Sequence, residues 1–124
     1  MNETSPHVEA RLLKELIANS RLSVSSISVF ELWYGIAKST RRQSNAQKLS
    51  SFLGSWINLL SFDDEDARIA GELRAEIEAT GGPIGQYDLL IAGQALRHKL
   101  TLVTANVKEF SRVKALSWED WSKA

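Results

Sequence analysis

Pro83-Ile84-Gly85-Gln86-Tyr87-Asp88-Leu89-Leu90-Ile91-Ala92-Gly93 and, shortly after it, Leu102-Val103-Thr104-Ala105-Asn106-Val107-Lys108-Glu109-Phe110 decide the fold. The first stretch sets a single carboxylate, Asp88, on the leading edge of an otherwise apolar helix. The second runs a strand into a turn tipped by Asn106, whose side-chain oxygen faces whatever lies beyond the sheet. An acid beside a buried segment is costly to dehydrate unless something compensates it, and a bound cation is one such partner.

Outward from these blocks, strands alternate with helices. The apolar helix runs from Asp88 to about His98, the strand from Leu100 to Thr104, and a helical turn from Val107 to Phe110. The tail Leu116-Ser117-Trp118-Glu119-Asp120-Trp121 reads as a last short strand and turn. Before them, Asp63-Asp64-Glu65-Asp66 opens a helix that Gly81-Gly82 and Pro83 end. Leu59 to Phe62 is a brief buried strand, and a helix ending near Asn58 precedes it. Leu22 to Ile27 reads as a strand, and Ser28 starts a helix through Lys38, with Ser28 and Glu31 at capping-box spacing. His7 to Asn19 has the apolar stripe of an amphipathic helix. Strands this short and apolar, each followed by a helix, imply an α/β fold with a short parallel sheet covered on both faces. Ligands in such folds sit beyond the carboxyl ends of the strands. Glu31, one turn past the first strand, and Asn106, just past Thr104, both fall there.

The chain has 124 residues, enough for one core, so a single domain spanning 1–124 is expected. It has no cysteine, which removes disulfides, thiolate nucleophiles and cysteine-bound zinc together. No apolar run reaches the roughly 20 residues of a membrane span, and no leader is visible at Met1, so a cytoplasmic protein away from membranes is expected. Fifteen basic residues balance fifteen acidic ones, so any attraction to nucleic acid must be local.

Each candidate residue has a structural role that competes with chemistry. Glu31 fits the third position of a capping box, Asp88 fits a helix cap, and Asn106 suits a turn. Together they bring two carboxylates and a carboxamide to one expected crevice. Oxygen ligands without His or Cys suit Mg²⁺ or Mn²⁺ and not zinc. The run Asp63–Asp66 reads as structural, since acids in a first turn offset the helix dipole at an exposed end. His7 and His98 read as surface residues. Lys38, Arg41, Arg42 and Arg97 complement helix ends, while Lys108 and Arg112 could hold phosphates near the acids. No Gly-rich phosphate loop, nucleophile elbow or HExxH is present.

Ser25-Ser26-Ile27-Ser28-Val29-Phe30-Glu31-Leu32-Trp33-Tyr34-Gly35 resembles the second motif of PIN-domain ribonucleases of the VapC toxin type. Pro83 through Gly93 resembles their third motif, and Val103 through Phe110 their fourth. The resemblance implies a PIN-like three-layer α/β/α fold and a Mg²⁺-dependent endoribonuclease, with Mn²⁺ as a possible substitute. It implies an RNA substrate, a cognate antitoxin and a homodimer. Glu31 and Asp88 match the family's metal-binding acids, and Asn106 matches its fourth position. The family opens with a strand ending in aspartate, its first metal ligand. Here only Met1 and Asn2 precede Glu3-Thr4-Ser5, an echo of that triplet, and Pro6 follows. The central amino-terminal strand is therefore expected to be missing and cleavage impaired. The rival expectation is an inactive PIN-like remnant that binds an antitoxin or a dimer partner through Phe30, Trp33, Phe52 and Trp56. A phosphatase-like hydrolase ranks last, for want of a nucleophilic aspartate after the first strand.

Overall fold

The computed structural model describes residues 22–54 and 57–121; the helix expected over His7–Asn19, Glu3, His7 and Trp56 lie outside them. The chain divides into two compact units, Met1–Ser61 and Phe62–Ala124. Both are mixed α/β with parallel strand pairing, as expected. The described strands pair two and two, one two-stranded sheet in each unit, where the sequence suggested one sheet.

In the first unit β1 (Ser23–Ser25) lies parallel to β2 (Asn58–Leu60), with Val24 opposite Leu59. The expected strand stops early because Ser25 turns the chain: its hydroxyl accepts the Ile27 amide at 3.1 Å and caps α1 (Ser26–Lys38). The expected cap at Ser28 is therefore corrected. Ser28 lies inside the helix, and no acid occupies the first turn. Ser39 ends α1, its amide and hydroxyl both bonding the Ile36 carbonyl, at 3.0 and 2.7 Å. Helix α2 (Arg42–Leu53) follows, and Ile36 and Leu49 are the buried apolar residues of these two helices.

In the second unit α3 (Asp64–Thr80) packs on α4 (Gln86–Arg97). Asp66, Ala70, Leu73 and Ile77 form the buried stripe of α3, at helical spacing. Where the helices cross, there is no room for a side chain at Gly93: a Cβ there would lie 2.7 Å from both Cα and Cβ of Ala70. Strand β3 (Thr101–Val103) then runs parallel to β4 (Ser117–Glu119), and α5 (Val107–Phe110) lies between them in sequence. Leu73, Ile77, Ile84, Leu89, Phe110 and Val113 are among the residues of one apolar cluster that joins these elements.

The acidic run is structural, and Asp63, Asp64 and Glu65 are exposed as expected, but Asp66 is not. Asp63 and Asp66 form a reciprocal capping box, and Asp66 is 0% exposed. Gln94 donates to Asp66 at 3.0 Å, and Arg97 bonds both Asp66, at 3.0 Å, and Asp63. His98, expected as a lone surface residue, brings Nε2 to 3.5 Å from Asp66. Arg97 and the Asp66 amide hold the exposed Asp63 carboxyl down at about 2. Its contribution to stability is present above the ordinary carboxylate range and lost as the pH falls through about 2. Helix α3 ends at Thr80, just before Gly81 and Gly82, as expected. Gly81 is extended (φ 175°), and Thr80 turns its hydroxyl back to the carbonyls of Glu76 and Ile77, both at 3.3 Å. After α4, Lys99 is left-handed (φ 55°), and Leu100 bonds back to Ala95 at 2.9 Å.

Two glycine-to-alanine changes should move stability in opposite directions. Gly93→Ala forces α3 and α4 apart and is expected to cost about 1–3 kcal/mol. Gly71→Ala enters open space on α3 and should add roughly 0.5–1 kcal/mol. Thermal melts of both variants check this, and equal shifts would contradict the tight crossing.

Candidate active site

Helix α4 begins at Gln86 with Gly85 at its cap position and no side-chain cap bond. Asp88 is thus not the cap that the sequence allowed: it is the third helical residue, inside the first turn. Its carboxylate is turned to another partner. Gly85 leaves the room, since a Cβ there would lie 3.2 Å from Asp88 Oδ2.

That partner arrives from the turn after β3. Thr104 closes the turn, its hydroxyl accepting the Asn106 amide at 2.9 Å. The Asn106 side chain makes no cap bond to α5, although Asn106 holds the cap position. Instead its Nδ2 donates to Asp88 Oδ2 at 3.0 Å. Two residues far apart in sequence, whose local roles were capping and turn formation, have spent their side chains on each other.

A third group joins them that the sequence reading did not single out. Glu109 lies on α5, one turn past Asn106, next to the buried Phe110. Its Oε2 is buried and accepts no hydrogen bond among the described residues. Arg112 Nη1 stands 3.7 Å away, an ion-pair distance too long for a hydrogen bond. Burial pushes the Asp88 carboxyl up, the Glu109 charge pushes it further, and the bond from Asn106 opposes both. The signal for Glu109 was its three-residue spacing from Asn106, which puts both on one side of a helical turn.

Glu31 belongs to the first unit, exposed on α1 and well past the first turn. With Ser25 as the cap, the local explanation for a glutamate at this position is gone. One turn on, Gly35 faces open space, as the sequence implied.

The donor chemistry of the second-unit cluster fits a hard divalent cation. It comprises two carboxylates that repel one another, one of them with an orphaned buried oxygen, and a carboxamide whose oxygen is not used by its bond to Asp88. No three acidic, His or Cys side chains among the described residues already form a cage for a metal ion.

The PIN-domain family model matches residues 2–116. The chain is 42% identical over 111 residues to Ribonuclease VapC2 of Rickettsia felis, covering 90% of this chain and 82% of that one. It is 39% identical over 102 residues to the tRNA(fMet)-specific endonuclease VapC of Salmonella typhimurium, covering 82% of this chain and 76% of the relative. Among solved structures, VapBC2 from Rickettsia felis, bound to a DNA fragment from its promoter, superposes with a TM-score of 0.83 at 41% identity. That likeness covers 90% of this chain and 84% of the other.

The raised Asp88 carboxyl carries a sign for stability. An ionised acid whose folded pKa lies above its unfolded value destabilises the fold at neutral pH, and the penalty disappears below the unfolded carboxylate range near about 4. Asp88→Asn should therefore raise the melting temperature in EDTA at neutral pH. The gain should shrink toward zero as the pH falls through that range. A lower melting temperature at neutral pH would show that the carboxylate is a stabilising partner of Asn106.

Proposed function

The chain belongs to the PIN-domain family, within its VapC ribonucleases, and on that premise we propose that it is a Mg²⁺-dependent endoribonuclease, the toxin of a toxin–antitoxin pair. The observation that carries this reading is the Asp88–Asn106 bond with the Glu109 carboxylate beside it. Asp88 and Glu31 would hold the ion, with Mn²⁺ as a substitute, and Glu109 adds a further acid to the set. A divalent ion, when bound, offsets charge on the scissile phosphate and acidifies a water. Asn106 fixes the Asp88 carboxylate through Nδ2 and leaves its own oxygen for a water. Glu109, whose buried Oε2 stands 3.7 Å from Arg112 Nη1, adds negative charge beside Asp88.

The same reading supplies partners. Structural neighbours solved as VapBC toxin–antitoxin complexes support a protein antitoxin for this chain. Helix α1 presents Phe30, Trp33 and Tyr34, which are 51%, 40% and 58% exposed, an apolar face suited to an antitoxin or a second copy in a homodimer. The family model spans both compact units, which supports one functional domain. No described helix is long and apolar enough to cross a membrane, in keeping with work on RNA in the cytoplasm. The relative that is specific for tRNA(fMet) makes initiator tRNA the first substrate to try.

Incubation of the chain with initiator tRNA and total RNA, with Mg²⁺ or EDTA, tests the proposal. Metal-dependent cutting is expected, with Glu31→Gln and Asp88→Asn each reducing it by at least about 100-fold and Asn106→Ala by about 10-fold. Intact RNA throughout, with antitoxin still bound, would favour the inactive remnant instead.

A further inference from the structure

One arginine joins both halves of the Asp88 cluster without belonging to it. Arg112 follows α5, and its side chain is 33% exposed. Its Nη1 donates to the Pro83 carbonyl at 3.2 Å, and its Nη2 donates to the Gly82 carbonyl. The same Nη1 lies 3.7 Å from Glu109 Oε2. Gly81 makes room for the guanidinium, since a Cβ there would come to 3.3 Å from Nη2. The loop that Arg112 grips runs directly into Gly85 and the first turn of α4, which carries Asp88. On the other side of the joint are the turn and helix that carry Asn106 and Glu109.

We propose that Arg112 is a positioning residue for the nuclease centre: it ties the loop at Gly82 and Pro83 to the segment after α5, so that Asp88, Asn106 and Glu109 meet in one geometry. The inference rests on reading those three groups as the nuclease centre. A planar guanidinium suits this task because one rigid fork can face two carbonyls and a carboxylate together. A lysine ammonium is a compact point charge on a flexible stem and cannot span them in the same way. Arg112 also places a positive charge beside Glu109, which lessens the repulsion between that acid and Asp88. These commitments leave the guanidinium poorly placed for the phosphate-holding role that the sequence allowed.

The test compares the full chain with its Arg112→Ala and Arg112→Lys variants, using Mn²⁺ alone, RNA cleavage kinetics and amide hydrogen exchange. Arg112→Ala should weaken Mn²⁺ binding, followed by the ion's spin resonance, by roughly 10- to 100-fold, and lower kcat by a similar factor with KM little changed. Exchange over residues 84–90 should quicken, while Leu73 to Ile77 in α3 keep their protection. Arg112→Lys should recover only part of each loss, and it carries the comparison if the alanine variant does not fold. An unchanged Mn²⁺ affinity and kcat, with a raised and salt-sensitive KM, would show that Arg112 contacts RNA phosphate, and the proposal would fall. If the unaltered chain neither binds Mn²⁺ nor cuts RNA, the nuclease reading itself fails, and the role of Arg112 with it.

Discussion

The contact between Ala70 and Gly93 is the constraint on which the second unit depends. Two helix backbones meet there with no space for even a methyl group, so α4 cannot shift along α3 without a clash or a void. The buried Asp66 fixes the same pairing by polar means: Gln94 and Arg97 reach it from α4, while Asp63 closes its cap on α3. Breaking any of these bonds would leave a fully buried carboxylate short of partners, which is costly. Asp88 lies roughly a turn and a half, or about 7.5 Å, before Gly93 on the same helix. A register fixed by packing at one end of α4 therefore fixes the position of a carboxylate at the other.

What the scaffold holds in place is unfavourable by itself. Asp88 is drawn partly out of water and faces the charge of Glu109, and the amide of Asn106 opposes both effects. A structure selected for stability alone would replace one of the acids with an amide or an apolar residue. Stability surrendered at a cluster of convergent oxygens is the pattern of a site shaped for a ligand. The contrast with Asp66 is informative. That acid is more deeply buried, but it has three side-chain partners and serves the fold.

Much of this was legible in the sequence, at the scale where chain pattern decides. Alternating apolar strands and helices gave the parallel α/β class, and Asn106, just past a strand end, was expected to share a crevice with Asp88 at the start of its helix. Where prediction failed, the cause was competition between nearby hydrogen-bonding groups. Ser25 and Ser28 are both able caps, and which one wins depends on where β1 stops pairing with β2. Asp66 looked like one more exposed acid because the residues that bury it, Gln94 and Arg97, lie far along the chain. Gly81 read only as a helix end, yet it also leaves the space that Arg112 occupies. Glu109 was overlooked because burial of one carboxylate oxygen depends on tertiary packing.

The division between arginine and lysine follows from the same geometry and bears on how RNA would be held. In the second unit Arg68, Arg74, Arg97 and Arg112 all pair with acids of their own chain. Their planar forks serve internal bonds, and Arg97 and Arg112 in particular bind oxygens from separate elements. Lys99, Lys108 and Lys114 enter no ion pair among the described residues and are exposed. In a chain without net charge, attraction for a phosphate backbone must come from such local point charges. Lysine contacts of that kind would carry little base specificity and would weaken with salt. The choice of cleavage site would then fall to the shape of the RNA around the Asp88 cluster, not to a pattern of arginine forks reading base edges.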